Sequence, residues 1–198
     1  MLNTTLEVAL PGFLLLTLDQ QVRCEEPLSK GGSGVIFFGS LLDPSLIQRH
    51  RTEKVAIKMM PTAHGFSEEE ADRLFEREVS IMWSLSFHKS ITTLVGYCES
   101  PRCLITRLYE RDLYALLHES KTPITLKQKE ILLLDIAHGL AAVHEMNICH
   151  RDVKSANVLI AVSSLKFFFR FCCSSPRYFI LFYYYSSSSR ARSFLLEF

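Results

Sequence analysis

Three groups of residues in this chain have types and spacings that could do chemistry. Leu28-Ser29-Lys30-Gly31-Gly32-Ser33-Gly34-Val35-Ile36 sets glycines between two β-prone stretches. Without a Cβ, their backbone N–H groups can approach a ligand closely, and such a loop can fold over a nucleotide's phosphates. It can equally be a Gly-rich hairpin turn. The G-K-[ST] ending of a P-loop is absent, and no helix follows. Second, Val55-Ala56-Ile57-Lys58 ends a short apolar strand with a lysine. Such a lysine either reaches solvent or is held inside by an acidic partner. Glu78 can be that partner: it lies three residues after Phe75 and four before Met82, so helical spacing puts it on an apolar face. The alternative leaves Glu78 at the edge of that face, in water. Third, His150-Arg151-Asp152-Val153-Lys154-Ser155-Ala156-Asn157 crowds polar groups between apolar flanks. A run like this usually means a solvated surface loop. Taken with the other two groups, in this order and at this spacing, it suggests more.

The elements that must position these groups can be read from periodicity. Val22–Glu26, Val35–Phe38 and Val55–Met59 read as strands, with a polar loop over about residues 43–54. Residues 67–86 read as a helix opened by a capping box, Ser67 with Glu70, and facing inward through Ala71, Phe75, Met82 and Leu85. Leu94–Cys98 and Cys103–Leu108 flank the turn signal Glu99-Ser100-Pro101-Arg102 and read as a hairpin. A short helix is expected over Leu113–His118. A long one begins at the Thr125/Gln128 capping box and faces inward through Ile131, Leu134, Leu140, Ala141 and His144. A sheet with one helix followed by a mostly helical part predicts an α+β chain of two lobes with a cleft between them.

Composition narrows the class. Of 198 residues, 48% are apolar and 22% charged, which excludes wholesale disorder and collagen-like repeats. The net charge of +1 gives no electrostatic reason to expect nucleic acid or an anionic membrane as partner. The last 38 residues differ from the rest, at +4 against −3 for the first 160. They are dominated by Phe, Ser, Tyr and Cys, with homopolymer runs and no Gly, Asp or Asn. These four residues share codons beginning with T, so intron read-through or a frameshift after about residue 160 is the expected origin. A genuine but unusual tail, or membrane association through 165–185, are the alternatives. Arg170 and Arg177 interrupt that stretch, and no run reaches the roughly 18–20 residues of a span. The six cysteines form no C-x-x-C pair, and Phe13–Leu16 is too short and lacks the basic flank of a secretion signal. A reducing, cytoplasmic location with free thiols is expected.

The ordered set resembles a eukaryotic protein kinase domain of the tyrosine-kinase-like group, which includes the plant receptor-like serine/threonine kinases. Leu28–Gly39 resembles the Gly-rich loop, Val55–Lys58 the strand with the nucleotide-binding lysine, and Phe75–Val79 the helix with its glutamate. His88–Cys98 resembles the segment that follows, and His150–Leu159 the catalytic loop. The resemblance implies ATP and Mg2+ as cofactors and a protein hydroxyl as acceptor, the substrate protein being unidentified. It implies that the Gly31 and Gly34 backbone covers the phosphates and that Lys58, braced by Glu78, holds the α- and β-phosphates. Leu28, Ile36, Ala56 and Leu159 would line the adenine slot, with Thr106 at the gatekeeper position and the backbone near Tyr109 at the hinge. Asp152 would take or orient the substrate proton, Lys154 would contact the transferred phosphate, and Asn157 would ligate one magnesium ion.

Three departures accompany the resemblance. Ser29 replaces the first glycine of G-x-G-x-x-G, and Arg107 stands at a hinge position often acidic in the family. No Asp follows Asp152, so the magnesium-binding Asp-Phe-Gly, the activation segment and the remaining helices are not found. The expected organisation is an N-terminal extension over 1–21, a complete small lobe (antiparallel sheet plus one helix) over 22–106, a truncated large lobe over 107–160, and a non-kinase tail over 161–198. The expected activity is that of a serine/threonine kinase by family, inactive in this form; the alternative is a pseudokinase-like fragment that binds nucleotide or a partner without catalysis. Apolar side chains of the long helix are expected to stay exposed.

Overall fold

β-branched and aromatic residues between glycines set up the first hairpin of the fold. The computed structural model describes residues 9–31, 34–60, 67–120, 123–161 and 166–169. β1 (Val22–Gly31) and β2 (Gly34–Leu41) pair antiparallel out to Gly31 opposite Gly34, so the glycine cluster sits at the hairpin end. Gly34 has φ 119°, a conformation that L side chains rarely adopt. β3 (Lys54–Met59), β4 (Leu94–Glu99) and β5 (Arg102–Arg107) complete an antiparallel sheet in the order β1-β2-β3-β5-β4. The region expected to be a polar loop contains α1 (Pro44–His50). Its start was legible in principle: Asp43 caps the Ser45 amide at 2.8 Å and Pro44 occupies the first turn.

α2 (Glu68–Leu85) opens on the expected capping box, with Glu70 N donating to Ser67 Oγ at 3.2 Å and Ser67 N to Glu70 Oε2 at 2.9 Å. Phe75, Val79 and Met82 from its inner face join Leu94 and Leu104 from the sheet in one buried cluster. The other face of the sheet buries Val22, Leu41, Val55, Ile57, Val95 and Ile105. The residues before β1 belong to these cores: Leu14 and Leu16 are 1% and 3% exposed, and Leu16 N donates to Tyr97 O at 2.8 Å.

Beyond the sheet come β6 (Arg111–Asp112), α3 (Leu113–His118), α4 (Leu126–Glu145), β7 (Val158–Ala161) and β8 (Lys166–Phe169). β6, β7 and β8 form a second, three-stranded antiparallel sheet. Of the inward face expected for α4, Leu140 packs against the core, but the rest is displaced to neighbouring positions. Leu132, Gly139, Ala142 and Val143 are buried, whereas Ile131 is 39% and Leu134 57% exposed. The cause is the apolar run Ile131-Leu132-Leu133-Leu134, which satisfies helical spacing on two adjacent faces. Packing selects the face that meets Ile81, Leu113, Val158 and Ile160. The rejected face, with Leu126, Leu133 and Leu134, is exposed among the described residues, as the sequence led one to expect. The expectations for the tail fall, apart from the backbone of β8, outside the described residues. No helix among the described residues is long and apolar enough to cross a membrane.

Candidate active site

Sheet register brings the first group of candidate residues to one surface. Ser29 pairs with Ile36, Ile36 with Lys58, and Lys58 with Leu104; two residues along β3, Ala56 pairs with Thr106. Alternation along strands puts Ile36, Lys58, Ala56, Leu104 and Thr106 on the same face. That face forms one wall of a cavity of about 250 Å³. Leu28 of β1 and Leu159 of β7 also line it. The segment joining the two sheets, Arg107 to Asp112, completes the lining and includes Tyr109. Burial pushes the Tyr109 phenol up to about 12.

Lys58 and Glu78 settle the question the sequence left open. Lys58 Nζ donates to Glu78 Oε1 at 2.8 Å, with side-chain exposures of only 9% and 4%. Each is a charge that burial alone would penalise by several kcal/mol, and pairing offsets that penalty. The pair places a cation on the cavity wall and ties β3 to α2. A second tie was missed by sequence reasoning, which placed Arg102 in a turn. Arg102 Nε donates to Asp72 Oδ1 at 2.7 Å, and its Nη2 pairs with Glu68, so the first turn of α2 is anchored to the start of β5. The acidic first turn of α2 was the available signal: it called for a cation as well as for the helix dipole.

The third group forms a compact loop. Asn157 Nδ2 donates to Asp152 O at 2.8 Å and to Asp152 Oδ2 at 2.9 Å. Lys154 Nζ lies 3.0 Å from the same Oδ2. Asp152 N donates to Nδ1 of the buried His150 at 3.3 Å. Arg151 between them has φ 62°, an uncommon conformation for a residue with a side chain. This turn and the short 3-10 helix Ser155–Asn157 fold a five-residue separation back on itself, bringing carboxylate, ammonium and carboxamide together. Asn157 leads directly into β7, whose next residue but one, Leu159, lines the cavity.

Gly31 and Gly34 lie at the end of the β1–β2 hairpin; Gly32 and Ser33 fall outside the described residues. Every other residue assigned to nucleotide binding on sequence grounds lies on the cavity wall or, as Glu78 does, pairs with a residue that does. Among the lining residues that sequence reasoning did not assign are Met82, Thr92, Leu104 and Glu110.

A family model described as protein tyrosine and serine/threonine kinase matches residues 22–167. This chain belongs to the protein kinase family. The kinase match extends to the relatives. A probable serine/threonine-protein kinase of Dictyostelium discoideum, roco5, is 33% identical over 155 residues, 76% of this chain and 5% of that protein. The serine/threonine-protein kinase STY17 of Arabidopsis thaliana is 30% identical over 144 residues, 71% of this chain and 23% of that protein. The human serine/threonine-protein kinase TNNI3K is 31% identical over 161 residues, 78% of this chain and 18% of that protein. The chain therefore spans less than a quarter of the length of these relatives.

The kinase family uses ATP and Mg2+, and the residues present can be tested against both. The cavity's apolar residues Leu28, Ile36, Ala56 and Leu159 and its lysine suit a purine base and an anionic group. The metal is less well provided for. Among the described residues no three His, Cys, Asp or Glu side chains gather to hold an ion. Asp152 and Asn157 are adjacent, but no Asp follows them in the chain. The donor set does not fit a full magnesium site.

Proposed function

We propose that this chain is the nucleotide-binding part of a protein serine/threonine kinase, and that it binds ATP in the cavity between the five-stranded sheet and β7. The buried Lys58–Glu78 pair on the wall of a cavity that Leu28, Ile36, Ala56 and Leu159 also line carries this reading. Lys58 receives the α- and β-phosphates, and Glu78 fixes its ammonium so that little side-chain freedom is lost on binding. Leu28, Ile36, Ala56 and Leu159 sandwich the adenine, and backbone groups near Tyr109 hydrogen-bond its edge. Thr106 bounds the inner end of the slot. The Gly31 and Gly34 backbone closes over the phosphates without a Cβ in the way.

ATP supplies the phosphoryl group when bound. Asp152 accepts or orients the proton of the acceptor hydroxyl, held for that task by Asn157 and the His150 ring. Lys154 offsets charge on the transferred group, being tethered to Asp152 at 3.0 Å. Asn157 would offer its carboxamide oxygen to a magnesium ion, which would neutralise phosphate charge, but no aspartate follows to share that ion. The missing carboxylate favours a second reading for the 198-residue chain itself: nucleotide binding without useful phosphoryl transfer.

Thermal unfolding with and without ATP tests the binding. Saturation at about 100-fold above Kd stabilises by about 2.7 kcal/mol. Lys58→Ala should abolish that gain, and no gain in the unsubstituted chain at millimolar ATP would sink the proposal. Labelled ATP with magnesium tests catalysis. The chain should transfer no more label than its Asp152→Asn variant; a clear dependence on Asp152 would instead establish an active enzyme.

A further inference from the structure

Residues 12–18 lie outside the span matched by the kinase family, yet they are built into the sheet and helix that carry Lys58 and Glu78. They alternate. Phe13 and Leu15 are half exposed, at 48% and 45%, whereas Leu14 and Leu16 are buried. Leu14 enters the cluster of Phe75, Val79 and Met82, the residues that flank Glu78 on the inner face of α2. Leu16 enters the cluster on the other side of the sheet, beside Val95 and Cys98. The backbone is fixed between them by Leu16 N donating to Tyr97 O at 2.8 Å and by a parallel bridge of Leu15 to Tyr97. The Phe13 ring packs edge-on against Trp83 of α2 at 5.7 Å, and the Arg49 guanidinium lies over the Phe13 ring, 4.6 Å from its centroid.

An independent mark of this strap is found in the sheet itself. At Gly96 a Cβ would stand 2.7 Å from Leu14 O and 2.6 Å from Leu16 Cδ1. The β4–β5 register also shifts between Leu94 and Gly96, at the point where the strap crosses. The middle strand position is bare because another segment of backbone lies on it.

We infer that residues 12–18 act as a strap that positions α2, with Leu14 and Phe13 as positioning residues that hold Glu78 against Lys58. The strap reaches α2 through the cluster of Leu14 with Phe75, Val79 and Met82, and because Met82 also lines the cavity, loosening it shifts Glu78 and that part of the wall together. The consequence for ATP rests on the nucleotide-binding reading above; the consequence for α2 does not.

Hydrogen exchange read by mass spectrometry on the full chain separates the two. Leu14→Ala removes the wedge, and Gly96→Val pushes the strap off from the sheet side. In both variants the α2 amides (68–85) should exchange about tenfold faster, while those of β2 and β3 keep their protection. The Kd for ATP should rise about fivefold or more in the same variants. Unchanged α2 exchange with the strap displaced overturns the inference. An unsubstituted chain that binds no ATP overturns the nucleotide reading and leaves the exchange result to decide the strap. Should Leu14→Ala and Gly96→Val accelerate exchange in every element, Phe13→Ala decides the matter, since it strips only a half-exposed ring from Trp83. Faster exchange confined to α2 in that variant supports the strap, and no change there refutes it.

Discussion

Replacing Lys58 by Met leaves the Glu78 carboxyl 4% exposed and without its ammonium partner at 2.8 Å. Two unit charges at that distance attract by about 6 kcal/mol at an effective dielectric near 20. Desolvation of both ions cancels much of this, and removing one partner of such a pair costs about 3–5 kcal/mol. Lys58→Met and Glu78→Leu should therefore each destabilise by that amount. The double variant, with two apolar side chains of similar volume facing each other, should fall within about 2 kcal/mol of the unsubstituted protein. Urea unfolding is a convenient assay because the single tryptophan, Trp83, lies on α2 and its fluorescence reports that helix. The double variant should recover stability but not the ATP-dependent gain, because the cation is gone. A coupling energy below about 1 kcal/mol would refute the reasoning: the pair would then behave as an exposed one.

Four further outcomes are expected. Gly39→Ala should cost about 1–3 kcal/mol in urea unfolding, because its Cβ would meet Ile57 Cδ1 at 2.5 Å and Arg23 O at 2.9 Å. Thr125→Ala should cost about 1 kcal/mol by loss of the cap that accepts from Gln128 N at 3.3 Å. Burial, then Arg49 and Arg107, holds the His50 imidazole below its ordinary value of 6.5. The unfolded chain thus binds the extra proton first, and stability should decline as pH falls below 6.5, with His50→Gln flattening that slope. Tyr109 is displaced the other way, from 10.0 up to about 12. The native state keeps a proton that the unfolded chain releases, so stability should fall as pH rises from 10 to 12, and Tyr109→Phe should remove that component of alkaline unfolding.

The Lys58–Glu78 pair was legible because two charges on apolar faces pose one problem with one economical solution. The helices α2 and α4 were legible from their capping boxes, which are local and chemically specific. The inward face of α4 was not, since four consecutive apolar residues leave the choice of face to whatever packs against them. The loop His150–Asn157 showed its residue types but not its shape. The fold-back that joins Asp152 to Asn157 depends on the left-handed turn at Arg151, and arginine carries no signal for that conformation. The strap was invisible for a different reason. Four alternating residues are too few to register as a strand, and their partner is a glycine 80 positions downstream.

The span matched by the family model begins at Val22, but buried packing begins earlier, at Leu14 and Leu16. Excising the protein at the edge of its homology would leave a trench over Gly96, uncover Val95 and one flank of α2, and strip Trp83 of its neighbour Phe13. Such a fragment would keep every residue by which the family is recognised and lose part of what keeps them in place.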